Sequence, residues 1–282
     1  MRLKAIHTGN FKLDGGAMFG VVPKMIWNKY NEADANNLCN WAMRCLLVED
    51  GNRLILIDTG IGDKQSEKFF GYYFLNGEHS LKKSLNAEGV DFKDITDVFL
   101  THLHFDHCGG AIVFNPSKQR YEPAFPNATY WSHKDHWQHA IKPNPREKAS
   151  FISENILPIQ ESGQLKFIGD DLRFTNNIDV ILANGHTEKM MCPKIKVGDK
   201  TLVFCADMIP SAAHVPPHYA MGYDIRPLIR MEENEAFLKE AVANDYTLFY
   251  EHDLNNEAGK VFKTDRGFKA SVVGSLVEFL KG

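Results

Sequence analysis

The sequence predicts a mixed α/β sandwich: two β-sheets packed face to face with helices outside, in a single domain spanning residues 1–282. Three observations predict it. Strand-type apolar runs and helical segments are interleaved in both halves of the chain. Two of the strand pairs are joined by tight turns, whereas a doubly wound parallel sheet needs long crossovers. No internal repeat, low-complexity tract or Gly/Ser linker divides the chain, and a fold of this length buries ~75% of its unfolded surface without disulfide staples.

The elements follow in order. Residues 3–7, 41–48 and 54–58 are apolar strand runs, the last two joined across Asp50-Gly51-Asn52. Residues 80–88 read as a helix that Gly89 stops. Residues 97–100 form a short buried strand, and 128–131 another, after which Ser132 reads as the N-cap of a helix starting near His133. In the second half, residues 166–168, 178–183, 194–197 and 201–205 are strands, with Gly198-Asp199 as a hairpin turn. Residues 232–242 are helical by the spacing of Ala236, Phe237, Ala241 and Val242. Residues 246–250 are a strand and 271–280 a closing helix.

Composition excludes several classes. The chain is 44% hydrophobic and 24% charged, with a net charge of −4 and a pI of about 6.3, so it carries neither a basic footprint for nucleic acid nor a polybasic membrane patch. No apolar run approaches the ~20 residues of a membrane span. The first residues lack the apolar region of a secretory signal. The five cysteines, Cys39, Cys45, Cys108, Cys192 and Cys205, are odd in number, scattered and without a CxxC pair. That pattern argues against a disulfide framework or zinc ribbon and for a reducing cytoplasm.

The densest chemistry lies at residues 102–107, His-Leu-His-Phe-Asp-His, followed by Cys108-Gly109-Gly110. An ordinary core has no use for that many imidazoles and carboxylates, because each buried polar group is costly unless paired. A divalent metal would satisfy them together. Gly109-Gly110 argue that the preceding strand does not continue, so residues 101–108 are expected to be a loop leaving a strand end. Such a loop can turn His102 and His104 toward one centre and Asp106 and His107 toward another; a single mononuclear site is the rival arrangement. Three further candidates each follow a strand: His186, Asp207 and His252. Cys108 reads as packing beside this cluster. His133, His136 and His139 read as one face of a partly exposed helix rather than a second metal site.

The pattern His102-x-His104-x-Asp106-His107, then His186, Asp207 and His252, resembles the metallo-β-lactamase superfamily, and Asp58-Thr59-Gly60 matches its second-strand motif. The resemblance covers most of the chain and implies an αββα sandwich with a dinuclear centre at one edge of the sheets. It implies that His102, His104 and His186 bind one metal, that Asp106, His107 and His252 bind the other, and that Asp207 bridges them together with a hydroxide. Asp58 would fix the tautomer of a ligand imidazole. Two divalent ions are expected, zinc first, with manganese, iron, cobalt or nickel as alternatives. The implied reaction is hydrolysis, with Asp106 the candidate proton donor to the leaving group alongside the bridging Asp207.

Asp207 in the bridging position disfavours the true zinc β-lactamases, which use a cysteine in that region. The segments 13–24, 208–214 and 221–224 are similar to the mouth loops of quorum-quenching lactonases and the related organophosphate hydrolases. That branch implies a small-molecule ester or lactone substrate, N-acyl homoserine lactones first, with phosphotriesters or aryl esters as the alternative; a non-catalytic binding protein is the reading from another class. A homodimer is suggested by the resemblance alone. Met18, Phe19, Met25 and Trp27 are expected to contact an acyl tail. Some relatives carry a tyrosine three residues after the bridging Asp; here that position is Pro210, and Tyr223 or His214 is expected to take its place.

Overall fold

The computed structural model describes residues 1–281. The first half contributes β1 (Arg2–Asp14), β2 (Leu38–Asp50), β3 (Arg53–Ile57), β4 (Asp97–Phe99), β5 (Ile112–Asn115), β6 (Arg120–Pro123), β7 (Thr129–Ser132) and β8 (Leu165–Phe167). Six of these form a mixed sheet in the order β1-β2-β3-β4-β7-β8, antiparallel at β1–β2–β3 and parallel beyond, while β5 and β6 form a separate hairpin. The second half contributes β9 (Arg173–Thr175), β10 (Ile178–Ala183), β11 (Met190–Val197), β12 (Lys200–Phe204), β13 (Thr247–Phe249), β14 (Ala258–Thr264) and β15 (Gly267–Gly274). These pair in chain order, antiparallel except for the β12–β13 pair. The mixed two-sheet sandwich predicted from the sequence is the fold observed.

Strand alternation builds two cores. In β2, Leu46 and Val48 face the second sheet and share one cluster with Ile55, Ile57, Ile178, Val180, Ile195, Leu202 and Phe204. Cys45 and Leu47 point the other way, into a cluster with Leu56, Val98, Leu81, Leu85, Trp137, Ile156 and Ile159. That second cluster lies under the helices Leu81–Ala87, Lys134–Ile141 and Ser153–Glu161. Each fully buried Leu or Ile contributes ~1.5–3 kcal/mol. Helix Pro227–Ala243 packs Phe237, Leu238 and Ala241 into the first cluster, so the second sheet is covered as well.

Four expectations are corrected. The helix expected at residues 232–242 begins at Pro227, a favoured first position. Its first turns bury Arg230 and Asn234, which bond to the carbonyls of Pro217, His214 and Met208, so apolar periodicity could not reveal them. The closing helix expected at 271–280 is β15 followed by the short helix Leu276–Leu280, because Ser271 and Val273 pair with β14. The N-cap of helix Lys134–Ile141 is His133, whose ring accepts from Asp135 N at 3.1 Å, while Ser132 ends β7. Residues 101–108 are only partly loop: Phe105–Cys108 make one helical turn.

β3, β4, β12 and β13 end at one edge of the sandwich, and Asp58, His102, Asp207 and His252 lie within three residues of those ends.

Candidate metal centre

His104 is extended (φ −65°, ψ 151°), and the chain turns helical immediately after it. This change of direction separates the first two imidazoles of the cluster from Asp106 and His107. The turn sits hard against residues 59–61: a Cβ on Gly109 would lie 2.1 Å from Ile61 O, and one on Gly110 would lie 2.2 Å from Thr59 O. The two glycines are therefore required by close backbone approach.

Two ligand groups converge. His104 Nδ1 lies 3.1 Å from His102 Nε2 and 3.2 Å from His186 Nε2, and Asp207 Oδ2 lies 3.0 Å from His186 Nε2. On the other side, His107 Nε2 and His252 Nε2 are 3.2 Å apart, with Asp106 Oδ2 3.8 Å from each. Asp207 belongs to both, its Oδ1 3.1 Å from His252 Nε2 and its Oδ2 3.5 Å from His107 Nε2. Within each group the candidate ligand atoms lie within 4.8 Å of one another, and all seven residues are buried.

The outer nitrogens show why these contacts need a cation. Asp58 accepts from Thr101 N at 2.8 Å, from Thr101 Oγ1 at 2.6 Å and from His107 Nδ1 at 3.1 Å. Having donated to Asp58, Thr101 Oγ1 accepts from His102 Nδ1 at 3.1 Å. His186 Nδ1 donates to Asp224 at 3.0 Å and His252 Nδ1 to Ala42 O at 2.8 Å. Once the outer nitrogens carry the protons, the inner ones present lone pairs to each other at hydrogen-bond distance. Asp207 Oδ1 and His104 Nε2 are also buried without a hydrogen bond. Such a set of nitrogen and carboxylate donors fits first-row divalent metals.

Burial and the neighbouring charges pull the proton affinities of these groups in opposite directions. Burial lowers the affinity of His186 for a proton, but Asp207 and Asp224 raise its pKa to about 10. His107 and His252 are raised against burial by the surrounding carboxylates. Asp207, which burial would raise, is held well below the carboxylate range by His186, His107 and His252. His102 is pushed down by burial and by the neighbouring His107.

A cavity of about 380 Å³ opens over the centre, with His104, Asp106, His186, Asp207 and His252 at its floor. Its walls include Met18, Tyr73, Phe105, Arg146, Met221 and Tyr223. Of the residues expected to meet substrate, Met18 and Tyr223 line this cavity. Phe19, Trp27 and His214 do not. The Phe19 ring stacks between Trp27 (5.4 Å, 6°) and His214 (4.6 Å, 10°), and all three are buried. His214 has both nitrogens engaged, with Ser211 Oγ at 2.7 Å and Met18 O at 2.9 Å. These aromatic faces are satisfied by one another and form a core under the loop. Met25 is 86% exposed and lies outside the cavity. Cys108 is buried with its thiol pushed up to about 12 by burial, and Cys205 lies in the inter-sheet core.

Several residues of the site were not anticipated. Asp224 lies in a mouth loop that the sequence did single out, yet its partner His186 is 38 positions away. His136, at a helix position read as partly exposed, is buried beside the ligand loops. Glu147 and Glu251 carried no sequence signal. Glu251 Oε2 lies 3.0 Å from His107 Nδ1, on the nitrogen that Asp58 also approaches, and burial pushes its carboxyl up to about 8. Glu147 lies 3.6 Å from His104 Nε2.

Comparison with known proteins matches residues 44–252 to the family described as the metallo-beta-lactamase superfamily. An N-acyl homoserine lactonase of Bacillus cereus is 24% identical over 241 residues, covering 80% of this chain and 87% of the relative. A probable metal-dependent hydrolase from Staphylococcus aureus superposes with a TM-score of 0.87 at 28% identity, over 97% of this chain and 96% of that one. AidC, a dizinc quorum-quenching lactonase solved with the product N-hexanoyl-L-homoserine, shares the fold with a TM-score of 0.78 at 24% identity, over 95% and 93% of the two chains.

Proposed function

The chain belongs to the metallo-beta-lactamase superfamily and is a metal-dependent hydrolase; from that premise we propose that it holds two divalent ions and opens lactones, N-acyl homoserine lactones first, as a quorum-quenching enzyme. His102, His104 and His186 would hold one ion and Asp106, His107 and His252 the other, with Asp207 shared between them. The donor set favours zinc. The observation that carries the two-ion reading is Asp207, whose carboxylate approaches four imidazoles drawn from both groups.

A pair of divalent ions, when bound, supplies a hydroxide at neutral pH and Lewis acidity toward an ester carbonyl. The protein's own contribution is positioning. His104, Asp106, His186, Asp207 and His252 form the floor, with His102 and His107 buried beneath it, and Met18, Phe105 and Met221 give an apolar wall for an acyl chain. Asp106, at the floor of the cavity, takes the proton released on attack and returns it to the leaving alkoxide. Tyr223 reaches the same space and offers a hydroxyl to the substrate carbonyl, in place of the tyrosine replaced by Pro210. The lactone reading is supported by the Bacillus cereus relative and by the apolar cavity above the centre. The five cysteines are free and buried, which supports a reducing, cytoplasmic location.

The test is a side-by-side assay of N-acyl homoserine lactones of several chain lengths, phosphotriesters and aryl esters. The highest kcat/KM is expected for a lactone. Lactone turnover no better than aryl-ester turnover would reject the lactone assignment and leave the hydrolase assignment standing.

A further inference from the structure

We infer that Glu147 is a positioning residue for the centre, its carboxylate holding the outer face of His104 and tying it to the loop that carries His186. The inference rests on the two-ion reading above.

Of the five imidazoles, four have the outer nitrogen bonded to an oxygen at 3.1 Å or less. His104 is the exception. It is turned round, with Nδ1 facing its neighbours, so the outer nitrogen is Nε2, which is buried and has no hydrogen bond. Coordination through Nδ1 requires a proton on Nε2, and a buried N–H needs an acceptor. Glu147 Oε1 faces it at 3.6 Å.

The rest of the carboxylate is anchored. Oε1 also accepts from Thr187 Oγ1 at 2.6 Å, and Thr187 directly follows His186. Oε2 takes His139 Nε2 at 2.7 Å and Asn144 Nδ2 at 2.5 Å. Glu147 is 3% exposed, so this is a buried junction rather than a surface ion pair. It joins helix Lys134–Ile141, the 144–150 segment and the two ligand loops at one point. The adjacent Arg146 bonds to the carbonyls of Gly222 and Asp224, on either side of Tyr223. The same short segment thus holds a ligand imidazole from behind and the cavity mouth in front.

Glu147→Gln keeps the shape but removes the charge and leaves one accepting oxygen for several donors. Zinc binding to wild type, Glu147→Gln, Glu147→Asp and Thr187→Val is measured by competition with a chromogenic chelator, with thermal unfolding of the metal-free proteins alongside. Wild type is expected to bind two zinc ions. In Glu147→Gln one ion should weaken by ~10–100-fold while the other keeps its affinity. Glu147→Asp, which retains the charge but draws it back, should weaken the same ion less, and Thr187→Val, which cuts the link to the His186 loop, should weaken that ion too, by less than Glu147→Gln. Wild-type affinity for both ions in Glu147→Gln overturns the inference. So does equal weakening of both ions together with lower metal-free stability, the mark of a merely structural residue. If Glu147→Gln does not fold, Glu147→Asp decides, and wild-type affinity in that variant overturns it. One zinc or fewer on wild type would instead overturn the two-ion reading, and this inference with it.

Discussion

His136 Nε2 accepts a hydrogen bond from the backbone N–H of Leu103 at 2.9 Å, and His136 Nδ1 donates to Glu188 O at 2.5 Å. One neutral ring therefore ties the residue between His102 and His104 to the loop just after His186. Burial pushes its pKa down to about 3, against 6.5 in the unfolded chain. Between those values the unfolded state binds the extra proton. The stabilisation is complete above pH 6.5 and is lost as the pH falls toward 3. Between pH 7 and pH 5 wild type should lose ~2 kcal/mol relative to His136→Gln. Urea unfolding of both metal-free proteins at the two pH values measures this, and equal losses would contradict it.

Asp207→Ala should remove a carboxylate that approaches imidazoles of both ligand groups. Metal content should fall to one ion or less per chain, and kcat/KM by more than the ~100-fold that outer-shell partners cost. Retention of two ions and of activity would show that Asp207 does not bridge.

Tyr223→Phe should leave the metal content unchanged and lower lactone kcat/KM by ~10-fold, the worth of one hydrogen bond. Tyr223 lines the cavity with 39% of its surface still exposed, and partial desolvation, with the Asp106 charge nearby, keeps its hydroxyl protonated. Unchanged lactone turnover would remove Tyr223 from the substrate contacts.

Phe19→Ala should cost ~3–5 kcal/mol of stability by emptying a fully buried ring site between Trp27 and His214. Acyl-chain preference should not change. An altered chain preference without loss of stability would return Phe19 to the substrate pocket.

How much of this was legible differs by kind of residue. The candidate ligands were, because His and Asp gather where strands end, and β4, β10, β12 and β13 each precede one. The most apolar strands were, because β2 is so apolar that both its faces must be covered, but β5, β6, β9 and β14 were not anticipated and β15 was read as helix. The start of helix Pro227–Ala243 was not: Arg230 and Asn234 are polar residues buried for their hydrogen bonds, and they mask the period. Phe19 and His214 were read as substrate contacts because an aromatic in a mouth loop can turn inward or outward, and only the stacking shows which. Glu147 was illegible for another reason. It is an ordinary glutamate in a polar stretch, and what sets it apart is its meeting with His104 and Thr187, each about 40 positions away.

The most direct test of the central claim is the metal content of the protein purified without chelator, measured by elemental analysis against chain concentration. Two divalent ions per chain are predicted, from the two ligand groups joined at Asp207. One ion or fewer per chain, not raised to two by added zinc, would contradict the account.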